Sequence, residues 1–282
     1  MGPCFRGDDG VNIVAMSRSL HPRIVAAALI AIALGGLVAP AFSAENPAIA
    51  SRQRAEKKSF TDSEIADGFF RVAFGAEYHL AGRVDRIRKY DRPVRVFAGG
   101  VSRPDRKAQL AKVVADIATR IAHLDIAMAK TADDANVVVT LVRDRDLFRT
   151  IRSFYGEDRA REIRKSLDPQ CLSGFHKNEK FEIEHSDVIL TVDTGDFTFL
   201  DCAYEELLQA LGPINDTSAV PWTMFNDKVS MGFFDVYDQY LLNILYDPRI
   251  KAGMTMAEVE AVLPEVLADV RVWVRKVNGL KE

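Results

Sequence analysis

Cysteine is scarce: the 282 residues contain three, and only Cys171 and Cys202 lie beyond the N-terminal apolar stretch. No pair is spaced as CxxC, which excludes dithiol redox motifs and cysteine-based zinc sites. Histidine is scarce too, five in all and none after His185. The chain beyond that point therefore has no imidazole to offer a metal or a proton relay. Neither sign of charge dominates. The 37 basic and 40 acidic side chains leave a formal charge of −3, which makes no electrostatic case for nucleic acid or for an anionic membrane surface. Phosphate loops are missing: Gly99-Gly100 precedes a helical pattern but lacks the further glycines and the lysine such a loop uses. The sequence also has no internal repeat and no low-complexity tract.

One long apolar run is present, at residues 24–38 (IVAAALIAIALGGLV). It is shorter than the roughly 20 residues a bilayer-spanning helix needs. Arg18, His21 and Arg23 precede it, and the small residues of 39–44 (APAFSA) follow. Together these form the three parts of a secretory signal. Residues 1–44 are expected to be a signal peptide, with residues 1–15 an upstream start assigned ahead of Met16. The alternative is a retained anchor. No cysteine follows the apolar run, so a lipoprotein is not expected. The expected location is the periplasm or the exterior, with no integral membrane segment after cleavage. In such an oxidising compartment Cys171 and Cys202 are expected to form a disulfide, the alternative being two buried thiols.

Residues 45–59 are polar and read as a linker, leaving 60–282 as a single domain. Thr61 followed by Glu64 is a capping box opening a helix. Residues 94–98 alternate as a strand, and 110, 113, 114, 117, 121 and 124 form one apolar helical stripe. Residues 136–142 (NVVVTLV) read as a buried strand. The arginine-rich segment 143–165, interleaved with acids, reads as a solvated helical face with local ion pairs. Residues 181–184 and 187–192 are expected to supply one or two further strands. Helices follow at 200–211, stopped by Gly212-Pro213, at 235–246 with Asp235 as its cap, and at 255–277. The order describes an α+β domain with one small mixed sheet and a helical C-terminal portion.

The most distinctive stretch is residues 202–216 (CAYEELLQALGPIND). It fits the frame of the zinc-peptidase helix HExxHxxGxxH. Glu205 and Gln209 fall on the first two histidines, Glu206 on the catalytic glutamate and Gly212 on the turn glycine. Asn215, with Asp216 beside it, falls on the third ligand. Residues four apart share a helix face, and a glycine lets the chain reverse toward the same point. Met224 is the candidate for a methionine-bearing turn beneath such a site. The same residues, with FND at 225–227 and LLxxLYDPR at 241–249, resemble the bacterial family called domain of unknown function 2927. The resemblance covers residues 60–255. It implies a zincin-like fold related to metallopeptidases, and no activity.

The departures from that frame decide the expected chemistry. Amide side chains at 209 and 215 are poor zinc ligands, and Glu205 alone cannot compensate. His176 and His185 are upstream and are read as ordinary strand-end or surface residues. An exported protein with a degenerate zinc site is therefore expected, binding or structural in the envelope, with a protein partner there. No cofactor is expected, although Glu205, Gln209 and Asp216 are oxygen donors of the type Ca²⁺ takes, and zinc stays open. Glu206 is the candidate general base of the alternative, an active metal-dependent hydrolase. At the site itself Glu205 and Gln209 are read as hydrogen-bonding the neighbouring loop, and a third reading of the protein is a stand-alone structural domain with no ligand.

Overall fold

The computed structural model describes residues 46–74, 85–100, 103–166, 170–213, 215–226 and 228–281. The expected signal peptide, with Asp227 of the FND triplet, lies outside them. The chain divides into two units, Met1–Ser43 and Ala44–Glu282, and every element named below belongs to the second. Among the described residues thirteen elements run in the order α1 (Pro47–Ala55), α2 (Asp62–Ala73), β1 (Val94–Gly99), α3 (Lys107–Arg120), β2 (Ile126–Met128), β3 (Val137–Val142), α4 (Asp144–Tyr155) and α5 (Glu157–Ser166). After these come β4 (Cys171–Lys177), β5 (Ile183–Thr191), α6 (Asp196–Gln209), α7 (Val236–Tyr246) and α8 (Met256–Asn278). No helix among the described residues is long and apolar enough to cross a membrane.

The strands form one mixed sheet ordered β2-β1-β3-β5-β4, in which only β4 runs antiparallel, paired to β5 at the edge. Strand alternation assigns the two faces. Val94, Val96, Val137, Val139, Val188 and Leu190 point into the main core with residues of α3 and α6. Leu172 and Ile189 point the other way, into a smaller cluster with Leu147 and Ile151 of α4 and Ala160 and Ile163 of α5. Every residue of α7 (VYDQYLLNILY) is buried, and its three polar side chains, Asp238, Gln239 and Asn243, are each hydrogen-bonded there. It packs between α2 and α8.

The α+β expectation therefore holds, and both foreseen caps form. Thr61 and Glu64 make the reciprocal capping box, and the Asp235 side chain accepts from the amides of Tyr237 and Asp238. Three details differ from what the residues alone predict. The expected linker carries helix α1, started by Asn46 as cap and Pro47 at its first turn. The arginine-rich segment is two helices, α4 and α5, separated by Gly156 at φ 82°. Helix α6 begins at Asp196, four residues earlier than its apolar pattern shows. Of the one or two strands expected from 181–184 and 187–192, the structure forms one, β5, entered through a turn with Phe181 at φ 67°; the other arm of that hairpin is β4.

Candidate functional site

Three pieces of chain meet at the edge of the sheet. Cys171 and Ser173 are two apart on β4 and so share a face; Cys202 and Gln209 are seven apart on α6 and so share a stripe. The disulfide joins Cys171 to Cys202, with a Cα–Cα distance of 5.9 Å. That tie sets the register, and one step further along both elements Ser173 Oγ donates to Gln209 Oε1 at 3.3 Å. The third piece is the loop after α6. Gln209 Nε2 donates to Asp216 Oδ1 at 2.7 Å, while Asn215 Nδ2 donates to the Arg71 carbonyl at 2.7 Å.

The loop can return because of Gly212. Its φ of 139° is one that L side chains rarely adopt, and a Cβ there would stand 2.2 Å from the Arg88 carbonyl oxygen. Arg88 itself is fully buried. It donates to the Ala73 carbonyl at 3.0 Å and lies 5.8 Å from the centre of the Phe175 ring, and burial lowers its guanidinium to about 10. Glu206, between Cys202 and Gln209 on the same stripe, is 6% exposed, and Glu205 is half-buried. From the opposite side of the edge strand, Tyr155 brings its hydroxyl to Gly174, where a Cβ would stand 2.8 Å from it. Burial pushes the Tyr155 hydroxyl up to about 12, and the charges of Asp187 and Glu206 add to the rise.

The structure thus brings Gln209, Asp216, Glu206 and the disulfide together, and sends Asn215 to the end of α2. Met224 is buried in the core. Its amide is held at 2.8 Å by Asp238 of α7, so its backbone is anchored to α7. His176 and His185 pair across β4 and β5. Both point to the sheet face covered by α4 and α5, opposite the face that meets Gln209, and His185 Nε2 lies 3.1 Å from Asp187 Oδ1. Among the described residues no group of three or more His, Cys, Asp or Glu is placed to hold a metal ion. Ser173 was not anticipated in the site. The disulfide was the available signal, since pairing 171 with 202 points 173 at the next turns of the same helix.

These observations define an α+β domain with a mixed five-stranded sheet, whose antiparallel edge strand is bolted to a buried helix and its returning loop. The family model described as "Protein of unknown function (DUF2927)" matches residues 62–265, and the chain belongs to that family. No curated protein matches the chain. No solved structure matches it either.

Proposed function

We propose that this is an exported envelope protein that works by binding or as a structural element, on a zincin-like frame whose zinc site has become a hydrogen-bonded joint. One observation carries the reading: the Gln209 amide spans from Ser173 on the edge strand to Asp216 on the returning loop. In the HExxHxxGxxH frame, residue 209 is a metal ligand and the loop after Gly212 is reached through the ion. Here a side-chain amide makes the same helix-to-loop connection. Its nitrogen is a donor with no lone pair to give, and its donor role occupies the nearest carboxylate oxygen. The short apolar run and small-residue exit at 24–44 support export, and the disulfide fits an oxidising compartment.

A second reading rests on Glu206. A buried carboxylate on the stripe that faces the edge strand is where a general base of a metal-dependent hydrolase would stand. Metal analysis of protein purified without chelator separates the two. The binding reading expects substoichiometric zinc and no peptide hydrolysis that Glu206→Gln removes. One zinc per chain, with hydrolysis lost in that variant, overturns it. Cell fractionation tests export: recovery of full-length chain in the cytosol refutes that part.

A further inference from the structure

At the start of α7 two carboxylates are buried side by side. Asp238 is fully buried and Asp235 is 1% exposed. Both Asp238 oxygens are engaged by donors: Thr223 Oγ1 donates to Oδ1 at 2.5 Å and the Met224 amide to Oδ2 at 2.8 Å. Asp235 Oδ1 accepts from the amides of Tyr237 and Asp238, at 2.8 and 3.1 Å. Asp235 Oδ2 is also buried, and no donor among the described residues reaches it.

Among the described residues no cation pairs directly with either aspartate, although Lys58 and Arg120 act on the neighbouring Glu56. Glu56, at the end of α1, adds a third carboxylate, whose Oε1 accepts from the Val236 amide. Lys58 stands 3.8 Å from Glu56. Arg120 of α3 pairs with Asp116 and bonds Asn278, and Arg271 of α8 is taken by Asp62 and the Phe60 carbonyl. From α2 comes a backbone group, the Glu64 carbonyl, which accepts from the Tyr237 hydroxyl, while Gln239 of α7 donates to the Phe234 carbonyl. Two adjacent buried anions with no cation paired to either carry a large desolvation and repulsion cost. One proton removes most of it. Hydrogen bonding decides where that proton sits: Asp238 already accepts on both oxygens, and the oxygen lacking a donor belongs to Asp235.

We propose that Asp235 and Asp238 share one proton, held on Asp235 Oδ2 and donated to Asp238, and that this pair is a pH-sensitive latch for the loop that follows Asp216. Burial first, and the neighbouring Asp238 second, hold the Asp235 acid well above its ordinary range. The latch reaches the site through named bonds. Asp238 fixes Thr223 and Met224, the next carbonyl, Phe225, accepts from the Thr217 amide at 2.8 Å, and the residue before Thr217 is Asp216, the partner of Gln209. Loss of the proton sets two anions against each other at the anchor of this chain of contacts.

The unfolded chain releases the Asp235 proton near the ordinary 3.8, while the native chain keeps it to higher pH. Native protein therefore binds more protons across that window, and the latch's stabilisation is complete below it and falls as pH rises through it. The test compares denaturant unfolding of wild type and Asp235→Asn from pH 4 to 9. The amide introduced by that substitution retains a donor toward Asp238 and has no proton to lose. The expected result is a ratio of unfolding constants, wild type to variant, that rises about tenfold per pH unit above about pH 4 until the shared proton leaves. Carbon-13 NMR of the wild-type aspartate carboxyls is the second measurement. It needs no variant, and, although burial raises both acids, it should find the Asp235 carboxyl keeping its proton to higher pH than Asp238. The Gln209 side-chain amide signal should shift over the same titration. The proposal is overturned by an Asp235 carboxyl titrating near 3.8, by a ratio that stays flat with pH, or by a Gln209 amide that does not respond.

Discussion

Removing the disulfide should cost more than its position on an edge strand suggests. Cys171 and Cys202 are 31 residues apart, and closing a loop of that length lowers unfolded-chain entropy by about 3–4 kcal/mol at 25 °C in the chain-entropy model. The native state adds a local reason. Strand β4 pairs with β5 on one side only, so its attachment to α6 rests on this bond, the neighbouring Ser173–Gln209 hydrogen bond and the packing around them. A Cys171→Ser/Cys202→Ala variant keeps the half-exposed position polar and the buried one apolar. For a domain of this size each kcal/mol moves the melting midpoint by roughly 2–4 °C, so a fall of roughly 6–16 °C is expected. Denaturant unfolding under non-reducing conditions gives the free energy directly, and alkylation with mass analysis of the unfolded wild type should find no free thiol among the two. Two alkylatable thiols would show that the bond does not form. A variant as stable as wild type would show that β4 is held by packing alone.

Two further substitutions probe the same region. Gly212→Ala should destabilise by at least about 2 kcal/mol, because the new methyl meets the Arg88 carbonyl at a positive φ; unchanged denaturant stability would mean that the loop return is not fixed as described. Lys89 is buried, donates to the Leu245 and Ile250 carbonyls at 2.7 and 2.9 Å, and is lowered by burial to about 8. Between pH 8 and the ordinary 10.5 the unfolded chain holds a Lys89 proton that the native chain has lost, so this group alone makes native protein gain up to about 3 kcal/mol as pH rises through that window. Lys89→Met should abolish that gain and leave the two carbonyls unsatisfied, costing about 1–3 kcal/mol at pH 7; equal pH profiles for the two proteins would refute it.

How much of this was legible in the residues depended on whether the signal was local. Caps were readable because they are written within four residues: Thr61 with Glu64, and Asp235 at the start of α7. Strands β1 and β3 were readable from their alternating or β-branched runs. Strand β4 was not, because CLSGFHK puts a glycine, a histidine and a lysine where an edge strand tolerates them, and its alternation is blurred. Helix α1 was hidden by its polarity. Ile49 is its only buried residue, and only Asn46 and Pro47 mark its start. At the site, the sequence placed Glu205 and Gln209 one turn apart on α6. It could not say that Gln209 would meet Ser173, since that contact joins a strand and a helix 36 residues apart.

The residues that carry the family resemblance have, for the most part, visible structural work. Gly212 admits the Arg88 backbone, and Asn215 holds the end of α2. Asn226 bonds the Val220 carbonyl and the Lys228 amide. Tyr246 donates to the Leu211 carbonyl at the close of α6. Asp247 receives three bonds from Arg249, which also reaches Asp269 of α8. Gly253, at φ 82°, turns the chain beside the Lys180 carbonyl. Such residues are joints between elements, and joints specify a fold without specifying a reaction. Belonging to the family therefore fixes the frame and leaves the chemistry to the few groups at the edge of the sheet. There the side chain at the centre, Gln209, is engaged on both its oxygen and its nitrogen. A group with both ends occupied holds strand, helix and loop in register, and for that task a single amide suffices.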